Sequence, residues 1–265
     1  MHKIIAILFS LLFSMQAIAK DQDIAQLFAE HGAKGTMVIT SLNSGETYIH
    51  NEARADNRYT VASTFKILNT LISMEEKAVA GKDDVFKWDG HVHSIANWNR
   101  DQTLESAFRV SCVWCYQELA RRVGLETYRN YLGRFDYGLL REPLIETEFW
   151  LDGSLTISAL EQIEFLKNVY LRKLPFSTSS YETLQQIMLR EQTAAHKIYA
   201  KTGLARNYDP EVGWYVGYVG YVETINDVWF FAMNMDIHGE KDWPVRLELT
   251  RKALQAKGII EQTHK

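Results

Sequence analysis

The chain has 265 residues, of which 46% are hydrophobic and 23% are charged, and its formal net charge is −4. These values are typical of a folded globular protein and exclude intrinsic disorder, a collagen-like repeat and a long coiled coil. The mild charge, with no basic patch that alternates with aromatic residues, argues against nucleic-acid binding. The eight histidines form no metal-binding signature, so we expect no metal cofactor.

The first nineteen residues have the pattern of a secretory signal peptide. His2 and Lys3 precede an apolar run over residues 4–13, and Ala17-Ile18-Ala19 is a small-x-small cleavage site. The apolar run is shorter than the roughly 20 residues needed to cross a bilayer. We therefore predict that residues 1–19 are removed, that the mature chain begins at Lys20, and that it has no membrane anchor.

A helix and a hairpin are predicted at the start of the mature chain. Residues 21–31 have the pattern of an amphipathic helix that ends at Gly32. Residues 36–42 and 46–50 alternate around Asn43-Ser44-Gly45, which predicts a β-hairpin.

The segment Ala62-Ser63-Thr64-Phe65-Lys66 brings a serine and a lysine onto one face of a helix predicted to run from Ser63 to about Ala80. Serine needs an adjacent base to become a nucleophile. Lysine becomes a base where burial lowers its pKa, and Phe65 contributes to apolar surroundings of that kind. Ser63 is thus a candidate nucleophile and Lys66 a candidate base. Alone, the pattern also fits a helix N-cap serine followed by a surface lysine.

The middle of the chain is mostly helical in pattern, with long loops, as far as about residue 174. Here Ser111-Cys112-Val113 follows a predicted helix over residues 104–110 and precedes an apolar stretch. A hydrocarbon side chain at Val113 would keep water from a nearby lysine and favour its neutral form. Alone, Ser111 also fits an N-cap and Val113 an ordinary core position.

Cys112 and Cys115 are the two cysteines of the chain. Their spacing fits a Cys-x-x-Cys motif, and an exported protein meets oxidising conditions in which a bridge across one helical turn would form. No thioredoxin-like βαβ pattern surrounds them, and free cysteines are often buried. We therefore favour two small, unbridged, buried side chains, with the short disulfide as the alternative.

The C-terminal part contains helices and three strands. Ser158 and Glu161 form a capping box for a helix to about Leu171, and another helix is predicted over residues 181–189. Strands are predicted over residues 197–201, 213–223 and 228–235, followed by a helix over residues 244–256. The first of these strands leads into Lys201-Thr202-Gly203. A Ser-x-x-Lys motif with a distant Lys-Thr-Gly is typical of penicillin-recognising serine enzymes.

Strands therefore come from both ends of the chain and helices from the middle. The simplest arrangement is an α/β (α+β) fold, in which one antiparallel sheet is flanked by the N- and C-terminal helices and carries an inserted all-helical domain. We assign residues 20–60 and 175–265 to the sheet domain and residues 61–174 to the helical domain, together one functional unit. The reactive groups would meet in the cleft between them.

In these motifs the chain resembles the class D β-lactamases, or oxacillinases, from about residue 33 to residue 260. The matching segments are Tyr59-Thr60-Val61-Ala62-Ser63-Thr64-Phe65-Lys66, Val85-Phe86-Lys87-Trp88-Asp89-Gly90, Trp98-Asn99-Arg100-Asp101, Ser111-x-Val113, Tyr137-Gly138, Phe149-Trp150-Leu151, Lys201-Thr202-Gly203, Gly213-Trp214-x-Val216-Gly217, Phe230-Phe231-Ala232-Met233-Asn234-Met235-Asp236 and Arg246.

The resemblance implies a penicillin-recognising fold and hydrolysis of the β-lactam ring of penicillin-type antibiotics through a serine acyl-enzyme, which confers resistance. Ser63 would be the nucleophile, and Lys66, carboxylated on its amine by carbon dioxide, the general base; no other cofactor is implied. Ser111 and Lys201 would complete the catalytic set.

The resemblance also implies supporting residues. Trp150 would donate a hydrogen bond to the carboxylated lysine, with Val113, Leu151 and Phe65 as its apolar surroundings. The backbone N–H groups of Ser63 and Leu204 would form the oxyanion hole. Thr202, Gly203, Leu204 and Arg246 would bind substrate, with Arg246 on the drug's carboxylate.

One departure concerns Leu139, which follows Tyr137-Gly138 where the family usually has asparagine in a loop over the cleft. It leaves substrate preference open, as does the segment over residues 204–210, on which carbapenem hydrolysis would depend. A penicillin-binding transpeptidase, and a β-lactam sensor that acylates without turnover, are the alternatives. The resemblance implies a free periplasmic protein of a Gram-negative bacterium, monomeric or homodimeric, with a β-lactam as its small-molecule partner.

Overall fold

The computed structural model describes residues 21–206 and 213–262. Its first elements are α1 (Gln22–Glu30), β1 (Gly35–Ser41), β2 (Thr47–His50), α2 (Glu52–Asp56), β3 (Tyr59–Thr60), a 3-10 turn (Ala62–Phe65), α3 (Lys66–Glu75) and β4 (Val85–Phe86). Next come a second 3-10 turn (Ala96–Trp98), β5 (Gln102–Thr103), α4 (Leu104–Arg109), α5 (Val113–Val123), α6 (Leu125–Phe135), β6 (Leu139–Leu140), β7 (Leu155–Ile157) and α7 (Ala159–Tyr170). The last are α8 (Thr178–Met188), β8 (Leu189–Gln192), β9 (His196–Arg206), β10 (Trp214–Thr224), β11 (Val228–Ile237), a third 3-10 turn (Glu240–Asp242) and α9 (Val245–Ala256).

The main sheet has six antiparallel strands in the order β2-β1-β11-β10-β9-β8. A strand from the start of the chain therefore lies beside one from its end, with Val38 opposite Ala232. Helices α1 and α9 pack against each other at this sheet, and α7 packs against β1 and β11. The predicted fold, an antiparallel sheet flanked by the terminal helices with an inserted helical region, is confirmed.

The two faces of the sheet bury separate cores, because successive side chains of a strand point to opposite faces. Phe231 belongs to the core that α1 and α9 cover, together with Ile24 and Leu249. Its neighbour Phe230 belongs to the larger core shared with the helical region. The reactive segments lie on the side of this larger core.

Two predicted local features, a capping box and a hairpin, are present in the structure, together with a helix cap at Asp21. The Ser158 hydroxyl accepts from the Glu161 backbone N–H at 3.1 Å, and the Glu161 carboxylate accepts from the Ser158 N–H at 2.8 Å, which is the predicted capping box of α7. Asp21 caps α1 by accepting from the Ile24 N–H at 3.0 Å. The predicted hairpin is formed by β1 and β2.

The predicted helix from Ser63 to Ala80 was wrong at both ends. It begins as a 3-10 turn at Ala62, and α3 ends at Glu75, because Lys77 takes a left-handed backbone conformation with φ of 56°. The region predicted to be helical also contains four short strands. Strands β6 and β7 join β3 in a three-stranded sheet in the order β3-β7-β6, and β4 pairs with β5. The domain boundaries stay predictions.

The favoured interpretation of the cysteines was also wrong. Cys112 and Cys115 are buried, as expected, but they form a disulfide. Cys112 is the N-cap of α5 and Cys115 lies in its first turn, so their Cα atoms are 5.5 Å apart, well within bridging range.

The predicted signal peptide and Lys20 lie outside the described residues, as does most of the predicted loop over residues 204–210. Within residues 21–206 and 213–262, no helix has both the length and the apolar character needed to cross a bilayer. The same residues contain no group of three histidine, cysteine, aspartate or glutamate side chains placed to hold a metal ion.

Candidate active site

Ser63 lies in the 3-10 turn just before α3, and its side chain is almost buried, with 7% of the residue's surface exposed. The turn is held from outside by the Ala62 N–H, which donates to the Trp150 carbonyl at 2.9 Å. Thr64 adds a second support, because its hydroxyl accepts from Gln162 Nε2 at 2.9 Å. Ala62 has a φ of 50°, a conformation that is unfavourable for a residue other than glycine. The surroundings therefore fix the position of Ser63 against a local backbone preference.

Lys66 is the first residue of α3, and 1% of its surface is exposed. Its Nζ atom has no hydrogen-bond partner among the described residues, so it makes no hydrogen bond to the Ser63 hydroxyl. The Nζ atom instead lies 4.3 Å from the centre of the Tyr116 ring. Burial lowers the pKa of Lys66 to about 7, because the charged amine loses its hydration. A substantial fraction of this amine is therefore neutral near physiological pH.

Trp150 is fully buried, and its indole Nε1 likewise has no hydrogen-bond partner within the described part of the chain. Its ring stacks on Phe65, with ring centres 6.1 Å apart, and Phe65 directly precedes Lys66. A buried indole N–H without an acceptor costs free energy. Trp150 is therefore a hydrogen-bond donor available for an acceptor supplied at this site.

Phe65 makes this part of the site apolar. Phe65 is fully buried and also makes an edge contact with Phe149 at 5.3 Å between ring centres. Val113, at the start of α5, and Leu151, which packs against the larger core, are both half-buried.

Ser111 and Lys201 meet from opposite sides of the site. The Lys201 amine donates to the Ser111 hydroxyl at 2.5 Å and to the Thr202 carbonyl at 2.9 Å. Ser111 connects α4 to α5 and has a φ of 56°, so it is another non-glycine residue in the left-handed region. Burial, aided by the positive charges of Lys66, Arg190 and Arg246, lowers the pKa of Lys201 well below its usual value. Lys201 is thus able to release a proton as well as to hold one.

Strand β9 presents an open edge beside Ser63. Strand β8 pairs with β9 between Lys197 and Tyr199, and no other strand among residues 21–206 and 213–262 pairs with the rest of that edge. The Ala200 and Thr202 carbonyls on it accept from the side chains of Arg190, at 3.1 Å, and Lys201. Because backbone direction alternates with period two, the Leu204 N–H points to the same edge.

Gly203 brings β9 close to the turn that carries Ser63. A Cβ atom at Gly203 would lie 3.2 Å from Thr64 Cγ2 and 3.7 Å from Ala62 Cβ. The Ser63 N–H lies in the first turn of its helix, where donors have no partner within the helix. The Ser63 and Leu204 N–H groups therefore lie in the two segments that meet at this contact.

Arg246 is the second residue of α9 and is half-buried. Its Nε and Nη1 atoms are buried without a hydrogen-bond partner among the described residues, and burial lowers its pKa to about 10. A guanidinium with unused donors suits a carboxylate. Thr202 is half-buried on the adjacent strand, and its hydroxyl accepts weakly from Lys201 at 3.3 Å.

Two further residues, Tyr116 and Arg190, contact the site and were not predicted from the sequence. Tyr116 packs against Lys66 and is itself fixed by a hydrogen bond of 2.9 Å to Thr70. Arg190 binds the edge of β9 and lies 5.8 Å from the ring centre of Phe108. Tyr116 lies in the apolar stretch that follows Ser111-Cys112-Val113, whereas Arg190 lies in no motif.

Leu139 was predicted to lie in a loop over the cleft. It lies instead in the short strand β6, opposite Thr156. The preceding Gly138 has a φ of 66°, and a Cβ atom there would lie 2.1 Å from the Thr156 carbonyl oxygen. The glycine is thus required by backbone contact, whereas Leu139 is held by pairing.

Comparison with known proteins gives consistent matches. The penicillin binding protein transpeptidase domain family matches residues 35–255. β-Lactamase OXA-48 of Klebsiella pneumoniae is 40% identical over 233 residues, which cover 88% of this chain and 87% of that protein. β-Lactamase OXA-10 of Pseudomonas aeruginosa is 36% identical over 236 residues, 88% of each chain. The crystal structure of FUS-1 (OXA-85), a class D β-lactamase from Fusobacterium nucleatum subsp. polymorphum, is similar with a TM-score of 0.88 at 32% identity, over 92% of this chain and 100% of that one.

The fold and the matched domain define a penicillin-recognising serine enzyme. At this identity and coverage the chain belongs to the class D β-lactamases, which are serine hydrolases. The predicted family and enzyme class are confirmed.

Proposed function

We propose that this β-lactamase opens the ring of penicillin-type antibiotics through an acyl-enzyme on Ser63, with a carboxylated Lys66 as general base, and that it thereby confers resistance. The observation that carries the proposal is the Lys66 amine, which is buried, unpartnered in the described structure and neutral in part near pH 7. An amine in this state is unusual, because most buried lysines are paired.

Substrate binding begins at the drug's carboxylate. Arg246 offers two unused buried donors, and Thr202 offers a hydroxyl on the neighbouring strand. A carboxylate placed there would also raise the pKa of Lys201, because a nearby negative charge favours the protonated amine. Binding would thus prepare Lys201 as a proton donor.

Acylation takes place at the contact between the Ser63 turn and β9. The Ser63 hydroxyl oxygen attacks the lactam carbonyl carbon and loses its proton to the base on Lys66. The Ser63 and Leu204 N–H groups stabilise the negative charge on the carbonyl oxygen, an effect typically worth about 3 kcal/mol per donor. The ring C–N bond then breaks, and Ser63 carries the acyl group as an ester.

The departing ring nitrogen needs a proton, and the Ser111–Lys201 pair lies close to supply it. The Ser111 hydroxyl gives its proton to the nitrogen and takes one from the Lys201 amine across their 2.5 Å hydrogen bond. Lys201 can make this transfer once the drug's carboxylate has raised its pKa, because only the protonated amine has a proton to give.

The residues around Lys66 fit a carboxylate on its amine. That carboxylate, formed from carbon dioxide, would supply the general base for both acylation and deacylation. Trp150 Nε1 provides a buried donor for one of its oxygens, and Phe65, Val113 and Leu151 keep bulk water away. A buried anion requires such a donor.

The carboxylation is tested with labelled bicarbonate. Protein in ¹³C-bicarbonate should show one carbamate carbon signal, and Lys66→Ala should lose both the signal and deacylation. Trp150→Ala should lower activity in a way that added bicarbonate partly restores. Trp229→Ala, on β11 and stacked against Tyr48, is the matched control and should need no bicarbonate. Steady multiple turnover by Lys66→Ala would disprove the assigned base.

Turnover itself separates the proposed hydrolase from a β-lactam sensor or a transpeptidase. With a chromogenic cephalosporin, we expect many product molecules per protein molecule, and faster turnover when bicarbonate is added. A single stoichiometric burst with a stable acyl group on Ser63 would indicate a sensor or penicillin-binding protein instead. Oxacillin and a carbapenem, tested in parallel, would define the substrate range.

We also propose that the protein acts in the periplasm after removal of residues 1–19, as a monomer or homodimer. The basic start, apolar run and Ala17-Ile18-Ala19 site support this. Amino-terminal sequencing of the protein from a periplasmic extract should begin at Lys20. A chain that retains Met1 and sediments with membranes would contradict the proposal.

A further inference from the structure

The disulfide lies between the residues that form the site. Cys112 directly follows Ser111, and Cys115 directly precedes Tyr116. Ser111 is hydrogen-bonded to Lys201, and the Tyr116 ring packs against the Lys66 amine. The bonded pair thus spans the one helical turn that carries contacts to both lysines.

The start of α5 has a weak cap. Cys112 occupies the N-cap position, and its sulfur accepts from the Cys115 N–H at 3.3 Å. Helix starts usually carry serine, threonine, aspartate or asparagine at this position, because oxygen is a good acceptor and sulfur a poor one. The covalent bond between the same two residues holds the turn that this hydrogen bond holds only weakly.

Ser111 needs such support. Its φ of 56° is disfavoured for a residue with a side chain, so a free chain would leave this conformation. Two indole contacts secure the outer side of the connection: Trp98 Nε1 donates to the Val110 carbonyl at 3.0 Å, and Trp114 Nε1 donates to the Trp98 carbonyl at 3.0 Å. On the side toward α5, the disulfide begins at Cys112, the residue directly after Ser111.

We propose that the Cys112–Cys115 disulfide is a positioning device for catalysis, which holds the Ser111 hydroxyl against Lys201. Full turnover then requires the oxidised pair. This inference rests on the proton-transfer role proposed for Ser111 and extends it to two residues that touch neither substrate nor reacting atoms. Reduction by a dithiol would break the S–S bond, give Cys112 and Cys115 one proton and one electron each, and leave the dithiol as a disulfide.

Substitutions test the proposal without the need for a reductant to reach the buried sulfurs. Cys115→Ala removes the disulfide and leaves only the weak sulfur cap. Cys112→Ser with Cys115→Ala also removes the disulfide but supplies an oxygen cap. We expect kcat to fall about tenfold in the first variant, with KM little changed, and to recover in part in the second.

Further measurements separate a positioning role of the disulfide from a general effect on stability. Kinetics are measured well below the unfolding midpoint of each variant, so that all molecules are folded. Saturating bicarbonate should not restore Cys115→Ala, because the defect lies at Ser111 rather than at Lys66. The rate of acylation, which uses the Ser111 proton, should fall with kcat. A kcat within twofold of the unsubstituted protein, or full rescue by bicarbonate, would overturn the proposal.

Failure of the disulfide proposal can be distinguished from failure of the proposed function. If the oxidised, unsubstituted protein showed no turnover, the hydrolase proposal would fail. If that protein turned over and Cys115→Ala matched it, only the positioning role of the disulfide would be lost. Dithiol treatment of the unsubstituted protein, with thiols counted in the native state, should reproduce the Cys115→Ala kinetics once the bond is reduced.

Discussion

The Lys201 amine lies 2.5 Å from the Ser111 hydroxyl and joins a strand of the main sheet to the helical region. Both partners are in unfavourable states on their own. Lys201 is a fully buried amine with positive groups nearby, and Ser111 has a left-handed backbone. Each residue therefore depends on the other, and their contact fits the proton transfer proposed for the pair.

Removal of this hydroxyl should impair chemistry more than binding. We expect Ser111→Ala to lower kcat about 100-fold, because the leaving nitrogen loses its proton donor. Steady-state kinetics on a penicillin measure the effect. Ser179→Ala, at an exposed serine in α8, is the control and should match the unsubstituted protein. A drop confined to KM would contradict the role.

The buried Lys66 should make the protein less stable than it would be with an apolar residue. Its pKa is lower in the folded state than in the unfolded state, so unfolded chains bind more protons between about pH 7 and pH 10.5 and stability rises with pH across that window. Lys66→Met should therefore raise the free energy of unfolding by about 5 kcal/mol near pH 6 and by about 2 kcal/mol near pH 9. Urea unfolding without bicarbonate tests this, and an equal gain at both pH values would contradict it.

Activity should depend on the same titration. Below about pH 7 the Lys66 amine is mostly protonated and cannot take up carbon dioxide, so kcat at fixed bicarbonate should fall as the pH is lowered. A profile of kcat against pH, recorded with bicarbonate present throughout, checks the position of this limb. An activity that stays constant down to about pH 5 would show that the base titrates elsewhere.

Two glycines give a matched pair for the contact between β9 and the Ser63 turn. Gly203→Ala adds a methyl group 3.2 Å from Thr64 Cγ2, so β9 should shift and kcat/KM should fall about tenfold. Gly133→Ala, in α6, meets nothing within 4 Å and should leave kinetics unchanged while stabilising the protein by about 0.5–1 kcal/mol. Circular dichroism melts and kinetics on both variants distinguish the two effects. Unchanged kinetics in Gly203→Ala would show that the contact is not needed.

Arg246 should affect substrate binding. Arg246→Ala removes two buried donors, so KM should rise about tenfold or more with a smaller change in kcat. Arg246→Lys should recover little, because an ammonium cannot bind a carboxylate in two places. Lys252→Ala, at a position in the same helix that is ion-paired with Glu248, provides the control. An effect on kcat alone would argue against a carboxylate anchor.

Local sequence signals predicted correctly those features that depend on residues close together in the sequence. The Ser158–Glu161 capping box was predicted correctly, because both partners lie within one helical turn. The extent of β9 was predicted too short, since Thr202 and Gly203 interrupt the alternating pattern. Pairing with β10 nevertheless carries the strand on to Arg206. Tertiary contact overrides propensity in this strand.

The candidate site likewise has features that the sequence predicts and features that depend on the tertiary structure. The family resemblance predicts one site for Ser63, Lys66, Ser111 and Lys201. In the structure, Lys201 contacts Ser111, and β9 packs against the turn that carries Ser63. The left-handed conformation of Ser111 depends on its surroundings and has no signature in the sequence. The disulfide was considered only as the alternative to two free cysteines, because the sequence does not show the cap at Cys112 that fixes its distance to Cys115.

The pairing of β1 with β11 has a consequence for biosynthesis. Val38 finds its partner Ala232 only after nearly the whole chain has been made, and such distant pairings fold slowly. Until then one edge of the β1–β2 hairpin is uncovered and open to pairing with other chains. A polypeptide cut short before Val228 would lack the strand that covers this edge, so aggregation rather than partial activity is the expected fate of truncated products.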